Sequence, residues 1–266
     1  MNCVTPFLKW PGGKRWLMAN HQDIFPLNYN RYIEPFLGSG AVYFKLNPSQ
    51  AILSDANSWL IDTYLAIQDD WERVYNTLKK HHKNHSNDYY YKIRSQKPRN
   101  KYTKAAKLIY LNRTCWNGLF RVNRKGEFNV PIGTKKNVIM DADNFAQTSK
   151  YLSNAIIMNY DFEEIIDKAK KDDLIFADPP YTVKHDNNGF IKYNEILFQW
   201  EDQVRLKEAL LRAKNRGAKI VMTNAHHKSI LELYGSDFEL KTVNRKSVIS
   251  GSAKYRGNCQ EYLILG

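Results

Sequence analysis

Short apolar segments bounded by turn residues recur along this chain and alternate with stretches of helical periodicity. The segments typical of buried strands are 31–34, 51–54, 155–158, 174–177, 219–223 and 262–265. Helical patterns lie between several of them, at 14–25, 58–67, 162–170 and 201–216. This alternation restricts the architecture, because parallel strands need a crossover connection that is usually a helix. We therefore predict an α/β fold with a Rossmann-like, doubly wound and mostly parallel sheet.

The alternation stops near residue 70 and resumes near residue 151. In between, 71–82 and 101–112 have helical patterns, and 123–133 is rich in turn residues. Residues 73–150 carry 18 basic and 4 acidic side chains, whereas the rest of the chain has 22 basic and 23 acidic. A solvated surface would explain a short charge run, but this imbalance covers many helical turns and is interleaved with aromatic residues, which favours a polyanion partner.

The composition argues against a membrane protein and against a zinc site. Apolar residues make up 43% and charged residues 25% of the 266 residues, which is ordinary for a globular chain. No apolar run reaches the roughly 18 residues of a membrane span, so we expect a soluble, cytoplasmic protein without membrane partners. Cys3, Cys115 and Cys259 lack the paired spacing of a zinc site, and their odd number suits a reducing compartment. We expect no bound metal.

A glycine-containing turn follows the first predicted strand. Residues 35–40 read PFLGSG and lead into an apolar helix start at 41–44. Glycines there allow a ligand to approach the backbone, and the helix offers its N-terminal amides. The turn lacks the lysine of a phosphate-binding loop and the third glycine of a dinucleotide-binding motif. This indicates a nucleotide-like ligand that is not bound through phosphate groups. Asp55 follows the second strand, where it either accepts ribose hydroxyls or caps the helix that begins near Ser58.

The strongest motif is the tetrad Asp178-Pro179-Pro180-Tyr181, directly after the apolar segment 174–177. Two prolines cannot extend a central strand, so the chain leaves the sheet there in a rigid shape. The Asp178 carboxylate and the Pro179 carbonyl suit the two N–H groups of an exocyclic amine, and Tyr181 suits stacking on a planar base. Such a grip turns the amine lone pair toward an electrophile, so positioning and electrostatics supply most of the catalysis.

At this point the sequence resembles the Dam-type DNA adenine-N6 methyltransferases. In that family, which uses S-adenosylmethionine, a target-recognition module lies between the S-adenosylmethionine loop and the tetrad. The matching segments occur in the family's order: 7–14 (FLKWPGGK), 34–40 (EPFLGSG), 53–57 (LSDAN), 111–121 (LNRTCWNGLFR), 126–131 (GEFNVP) and the tetrad. The resemblance implies a catalytic domain at 1–69 and 151–266, and a basic, helical target-recognition domain inserted at 70–150.

The resemblance also implies roles for single residues. The residues implied to bind S-adenosylmethionine are Trp10, Lys14, Phe36, Gly38, Gly40, Asp55, Asp161, Phe162 and Asp178, with Asp55 on the ribose hydroxyls and Asp161-Phe162 at the adenine. On DNA, Trp116 would wedge into the base stack, Asn117 would support it, and Lys9, Leu119 and Arg121 would read base edges. We interpret Arg113, Arg124, Lys125, Lys135 and Lys136 as phosphate contacts.

The implied reaction transfers a methyl group from S-adenosylmethionine to N6 of an adenine flipped out of double-stranded DNA, and S-adenosylhomocysteine is the product. The amine needs no base before attack, and the loop 183–199, which includes His185, is expected to order over the flipped base. We further expect a GATC or other GAT-containing site, a monomer that associates with the nucleoid when on DNA, and in a restriction-modification setting a separately acting endonuclease. Cytosine-N4 or RNA adenine methylation, protein glutamine methylation and non-catalytic DNA binding remain alternatives.

Overall fold

The computed structural model describes residues 4–184, 198–246 and 258–266. Its strands are β1 (Tyr32–Glu34), β2 (Ala51–Ser54), β3 (Ala155–Met158), β4 (Leu174–Ala177), β5 (Lys219–Ala225), β6 (Glu239–Lys246) and β7 (Asn258–Leu265). They form one sheet in the order β3-β2-β1-β4-β5-β7-β6. The predicted α/β fold with a doubly wound, Rossmann-like sheet is confirmed.

The centre of the sheet is parallel and its far edge is antiparallel. β1 pairs in parallel with β2, where Ile33 lies opposite Ile52, and with β4, where Ile33 lies opposite Ile175. β4 pairs in parallel with β5, whereas β7 runs antiparallel between β5 and β6. The strand order therefore reverses between β1 and β4. Doubly wound folds bind ligands outside the carboxyl ends of the strands at such a point.

Helices account for most of the remaining described residues. They are α1 (Arg15–Asn20), α2 (Ala41–Leu46), α3 (Ser58–Asn84), α4 (Asn87–Ser95), α5 (Lys101–Thr114), α6 (Phe145–Leu152), α7 (Phe162–Ile166), α8 (Trp200–Asn215) and α9 (Lys228–Tyr234), with 3₁₀ turns at Gln22–Ile24 and Trp116–Gly118. No helix within the described ranges has the length and apolar character needed to cross a membrane.

The helical patterns at 58–67 and 71–82 belong to the single long helix α3. Asp70 breaks the regular backbone inside it, with φ −152° and ψ 84°. The Asp70 carboxylate accepts the backbone N–H of Arg73 at 3.1 Å, so this side chain caps the second half of the helix in the manner of an N-cap. The periodicity of both halves was therefore readable from the sequence, whereas their merger was not.

The chain divides into two compact units. The first contains the described residues of Met1–Asn20, Leu37–Ser49 and Asp55–Asn159, and the second those of His21–Phe36, Gln50–Ser54 and Tyr160–Gly266. Buried side chains of α5 fasten the segment around Phe7 to the helices of the first unit, which is why that segment groups with them. The division 1–69 and 151–266 against 70–150 concerns function and stays a prediction.

Candidate functional site

The tetrad, Asp178 to Tyr181, begins immediately after β4 in the second unit. β4 is flanked in parallel by β1 and β5, so the carboxyl ends of these three strands lie at one edge of the sheet. The two prolines carry no N–H and leave the ladder at that edge. The tetrad thus occupies the edge where a fold of this kind binds ligands.

Thr223 of β5 holds the carboxylate of Asp178. The Thr223 hydroxyl donates to Asp178 Oδ1 at 2.7 Å, and Thr223 itself is fully buried. The hydrogen bond from Thr223 therefore fixes the orientation of the Asp178 carboxylate.

Glu261 of β7 holds the hydroxyl of Tyr181. The Tyr181 hydroxyl donates to Glu261 Oε2 at 2.8 Å, and Glu261 Oε1 lies 2.6 Å from Nε of Arg245 on β6. Burial raises the pKa of Tyr181 well above its ordinary value, and the charges of Asp178 and Glu261 add to this. The phenol therefore stays protonated and serves as a hydrogen-bond donor.

A separate aromatic group in the second unit contains two of the residues implied to bind the methyl donor. Phe36 stacks on Phe162 with ring centroids 5.5 Å apart, and both rings contact Phe198. Asp161 is exposed; its Oδ1 accepts the backbone N–H of Glu163 at 3.0 Å and a guanidinium N–H of Arg205 at 2.8 Å. The structure thus brings Phe36 and Phe162 together and gives Asp161 a role at the start of α7.

In the first unit, the glycine turn binds the carboxylate of Asp55. The Gly38 N–H donates to Asp55 Oδ2 and the Asn57 N–H to Oδ1, both at 2.9 Å. Burial raises the pKa of Asp55, although these two bonds oppose the effect. The cap of α3 is Asn57, whose side chain accepts the Leu60 N–H, so the alternative that Asp55 caps this helix is wrong.

These residues fit the ribose of a nucleoside. Each Asp55 oxygen already accepts one N–H and has room for another donor, and a ribose diol presents two. Gly38 has φ +49°, and a Cβ on it would come within 3.0 Å of Trp10 Cδ1. Close approach of the turn to Trp10 therefore excludes a side chain at Gly38.

Trp10 and Lys14 lie in the same unit as the glycine turn. The Trp10 ring stacks on Phe120 at 5.5 Å, so it lies between the glycine turn and the segment 112–121. Lys14 is buried, and its ammonium donates to the carbonyl of Gly12 at 2.8 Å. Trp10 was assigned to the methyl donor from the resemblance alone. It contacts both the glycine turn, which is assigned to the methyl donor, and the segment 112–121, which is assigned to DNA.

Asn112 joins Lys9 to the 3₁₀ turn Trp116–Gly118. The Asn112 side chain accepts the Lys9 N–H at 2.9 Å, and its amide donates to the carbonyls of Lys9 at 2.8 Å and Gly118 at 3.0 Å. Asn112 is fully buried, and a Cβ on Gly118 would lie 2.8 Å from Lys9 Cδ. The backbone of Lys9 and the turn are therefore held together by one amide.

The turn presents its side chains outward. Trp116 is 53% exposed, which is unusual for so large an apolar ring. Asn117 is exposed and has φ +55°, a left-handed conformation that asparagine tolerates better than most residues. Leu119 is half-buried and its carbonyl accepts the Cys115 thiol at 3.2 Å. The turn is thus braced and exposes Trp116, whose wedge role stays a prediction.

Arg113 requires a correction. We predicted a phosphate contact, but its side chain is only 1% exposed. The guanidinium forms two 2.6 Å bonds to Asp143 and donates to the carbonyls of Phe7 and Val138. This arrangement satisfies its donors internally, so Arg113 is a structural residue of the first unit, and phosphate contact is not available to it.

The other predicted DNA-binding cations are exposed. Arg121 is exposed, and its Nε donates to Asn129 Oδ1 at 2.8 Å, across a turn in which Val122 pairs with Phe128. The remaining exposed cations are Arg124, Lys125, Lys135 and Lys136. The neighbouring Lys135 and partial burial together lower the pKa of Lys9 to about 8. Two ammonium groups held together attract an anion or a strong acceptor.

A cavity of about 700 Å³ opens elsewhere in the first unit, between α3, α4, α5 and the turn at 123–129. Five basic and two acidic side chains line it, together with Trp59 and Phe128. None of the residues assigned to the methyl donor or to the target amine lines this cavity.

Thr223, Glu261 and Arg245 were missed by the sequence analysis. Thr223 ends a predicted strand at the same sheet edge as the tetrad, so its position was a usable signal. Glu261 precedes the apolar segment 262–265 and was left outside that strand. Arg245 lies in β6, whose polar composition gave no strand signal. His185 and most of the loop 183–199 lie outside the described residues.

Comparisons with known proteins agree with this geometry. Residues 10–249 match the family model of D12 class N6 adenine-specific DNA methyltransferases. The chain is 35% identical to the type II methyltransferase M1.LlaDCHI of Lactococcus lactis subsp. cremoris, covering 98% of this chain and 95% of that protein. It is 33% identical to the type II methyltransferase M.MjaIII of Methanocaldococcus jannaschii (98% and 99%) and 31% identical to the DNA adenine methylase of Haemophilus influenzae (98% and 93%). The chain therefore belongs to the D12 class of N6 adenine-specific DNA methyltransferases.

Proposed function

We propose that the tetrad of this methyltransferase holds the N6 amine of an adenine that has been flipped out of duplex DNA. The observation that carries the proposal is the Asp178 carboxylate, fixed by Thr223 at the carboxyl end of β4 beside two prolines. Flipping is required because N6 of a stacked and paired adenine is not accessible to in-line attack.

The tetrad does its work by orientation. Asp178 and the Pro179 carbonyl each accept one N–H of the amine, which directs the nitrogen lone pair away from the ring. Pro180 keeps the backbone rigid, and the face of Tyr181 supports the base. S-adenosylmethionine supplies an electrophilic methyl group when bound and leaves as S-adenosylhomocysteine. Asp178 then lies within reach of the proton that the alkylated amine releases, so the chain needs no separate base.

The residues proposed to bind the methyl donor lie in both units and are taken separately. In the first, Asp55 binds the ribose hydroxyls, Gly38 and Gly40 form the turn against which the nucleoside lies, and Trp10 and Lys14 line it. Asp55 carries this part of the proposal, because its two oxygens each accept one backbone N–H, from Gly38 and Asn57, and a carboxylate oxygen can accept a second donor. In the second, Asp161, Phe162 and Phe36 bind the adenine ring.

On the DNA side, we propose that exposed residues of the first unit meet the duplex. Trp116 enters the base stack where the target leaves it, and Asn117 shapes that turn. Lys9, Leu119 and Arg121 contact base edges, for which arginine suits guanine. The cations that contact phosphates are Arg124, Lys125, Lys135 and Lys136.

The recognition site is proposed to be GATC or a longer site that contains GAT. Two of the relatives described above are type II methyltransferases by name, so we also propose a role beside a separately acting restriction endonuclease. We further propose that the protein acts as a monomer on DNA in the cytoplasm and requires no metal, so that activity persists in a chelator.

The proposal is tested with the purified protein, a radiolabelled methyl donor and a duplex library with one varied site per molecule. We expect label on N6 of adenine within a single sequence context, read again by modification-sensitive sequencing of DNA from cells that express the protein. Matched cytosine-containing duplexes and RNA of the same sequence serve as controls. Label on cytosine N4, or on RNA in preference to DNA, would contradict the assignment of the substrate.

A further inference from the structure

A line of polar side chains runs away from the tetrad through three neighbouring strands of the second unit. Thr223 lies on β5, Glu261 on β7 and Arg245 on β6. In the ladder Glu261 pairs with Ala225 and with Val243, so Thr223 and Arg245 are its diagonal neighbours two residues along each strand. Alternation of side chains puts all three on the same face of the sheet.

The charges in this line are buried. Glu261 is 1% exposed, and the Arg245 side chain is 15% exposed. Removing a carboxylate and a guanidinium from water costs several kcal/mol per ion, and a pair of apolar residues of similar volume is often as stable. Stability alone therefore does not explain why a buried ion pair stands at this place in the sheet.

What distinguishes this pair is the group it bonds. Glu261 Oε2 accepts the Tyr181 hydroxyl at 2.8 Å, while Oε1 faces Arg245 at 2.6 Å. A hydrogen bond at the far end of a tyrosine ring restricts the first side-chain torsion. Because a phenol O–H prefers to lie in the plane of its ring, the direction of the bond to Glu261 also orients the ring plane. Arg245 supplies the opposite charge that pairs with this buried carboxylate.

We propose that Glu261, held by Arg245, is a positioning residue that sets the plane of the Tyr181 ring against the flipped adenine. The inference rests on the proposed role of Tyr181 in stacking and goes beyond it by assigning the group that fixes the ring. Neither Glu261 nor Arg245 touches the reacting atoms. Their effect passes through the Tyr181 hydroxyl.

The test compares three proteins with the wild type. Tyr181→Phe removes only the hydroxyl. The double variant Glu261→Met with Arg245→Met removes both charges but keeps the volume filled, so we expect it to fold with little change in Tm. Glu239→Gln is the matched control, because Glu239 lies on β6 of the same ladder, is exposed, and has its carboxylate 3.2 Å from the ammonium of Lys241.

Two readouts are measured: the single-turnover rate of methyl transfer at saturating DNA, and the emission of 2-aminopurine at the target position, which stacking on an aromatic ring quenches. We expect Tyr181→Phe and the double variant each to lower the rate by about tenfold and to raise the emission, with DNA affinity within about twofold. Combining all three substitutions should give no further loss, because they break one coupled interaction.

Wild-type rate and emission in the double variant would overturn the proposal, as would full additivity of the substitutions. If the double variant does not fold, Tyr181→Phe decides by the same two readouts. Failure of the proposed function would look different: the wild type itself would transfer no label to DNA adenine, or Tyr181→Ala would retain both the wild-type rate and the wild-type emission.

Discussion

The tetrad and the segment 112–121 hold their functional groups in opposite ways. At the tetrad the acting side chains are themselves fixed, Asp178 by Thr223 and Tyr181 by Glu261. In the segment 112–121 the fixed side chains are Asn112 and Arg113, which are 0% and 2% exposed, whereas the residues proposed to meet DNA project into solvent.

The difference follows from what each region has to do. Methyl transfer needs a carboxylate and a ring held against a small amine, and pre-organised groups of this kind lower the barrier without reorganising. Reading a duplex needs side chains that reach the grooves. The supporting hydrogen bonds of the segment 112–121 are therefore made to the backbone of the turn and not to the side chains proposed to read DNA. Substitutions at the tetrad should therefore change the rate, and substitutions of buried supports in the segment should change stability.

The largest expected effect is that of Asp178→Ala. Loss of the carboxylate removes an acceptor for the amine, and we expect methyl transfer to be undetectable. DNA affinity should stay within about tenfold, because the residues proposed to contact phosphates lie in the other unit. Transfer is measured by incorporation of labelled methyl groups and affinity by fluorescence anisotropy, with Glu208→Ala on the exposed face of α8 as control. Collapse of DNA binding in Asp178→Ala would break the comparison.

Arg113→Met tests the buried support in the segment 112–121. Removing the guanidinium leaves Asp143 and two carbonyls without their donor, and we expect a loss of about 3–5 kcal/mol in the free energy of unfolding. Denaturant titration measures it. The matched variant Lys136→Ala removes an exposed cation and should leave stability unchanged within about 0.5 kcal/mol.

The salt dependence of DNA affinity separates the exposed cation Lys136 from the buried cation Arg113. Lys136→Ala should reduce the slope of log affinity against log salt by about one, as expected for one lost phosphate contact. Arg113→Lys, which keeps the charge while breaking the paired bonds to Asp143, should leave that slope unchanged. A reduced slope with unchanged stability for Arg113→Met would restore the phosphate role that the structure removes.

The parts of the fold that could be predicted from sequence are those in which local pattern and tertiary environment agree. β2, β3 and β4 were predicted at their observed bounds, because each is an apolar run flanked by turn residues. β2 and β4 are buried on both faces, as in a parallel sheet, whereas β3 lies at the sheet edge and exposes Ile156. β6 was missed because an edge strand in an antiparallel pair needs few apolar residues. α4, α6 and α9 were missed because they are short and their apolar faces are incomplete.

The candidate site likewise contains residues that could be predicted from the sequence and residues that could not. The tetrad and the glycine turn are contiguous in sequence, so their residues and order were readable. The groups that hold them are distant in the chain: Thr223 is 45 residues from Asp178, and Glu261 is 80 from Tyr181. Arg113 was assigned to phosphate because a sequence does not show that Asp143, 30 residues away, pairs with it.

Arg121→Ala removes an exposed side chain that we propose contacts a base edge. Arg121 bonds Asn129, but its guanidinium is otherwise exposed, so the turn should persist without it. We expect relaxed preference at one base position, at a cost of about 1–3 kcal/mol in discrimination, with unchanged stability. The profile is measured by sequencing methylated products from a duplex library. An unchanged sequence profile would remove Arg121 from the readers.

The smallest expected effect is a pH dependence of DNA binding that arises at Lys9. The proximity of Lys135 lowers the pKa of Lys9 to about 8, so Lys9 is charged below that pH and neutral above it. A charged Lys9 donates to DNA acceptors and contributes to counterion release, so affinity should fall by about tenfold between pH 7 and pH 9. Exposed lysines with an ordinary pKa near 10.4 do not titrate in this window.

Lys135→Ala provides the decisive comparison for this effect. Without the neighbouring ammonium the pKa of Lys9 rises, so the loss of affinity should move to higher pH, even though one phosphate contact is also gone. The buried Lys107 has a pKa lowered to about 8 by burial, but its bonds to the carbonyls of Arg94 and Gln96 do not involve Lys135. A pH profile that keeps its midpoint in Lys135→Ala would therefore assign the titration to Lys107. The pair Lys9 and Lys135 would then no longer distinguish the exposed reading surface from the tetrad.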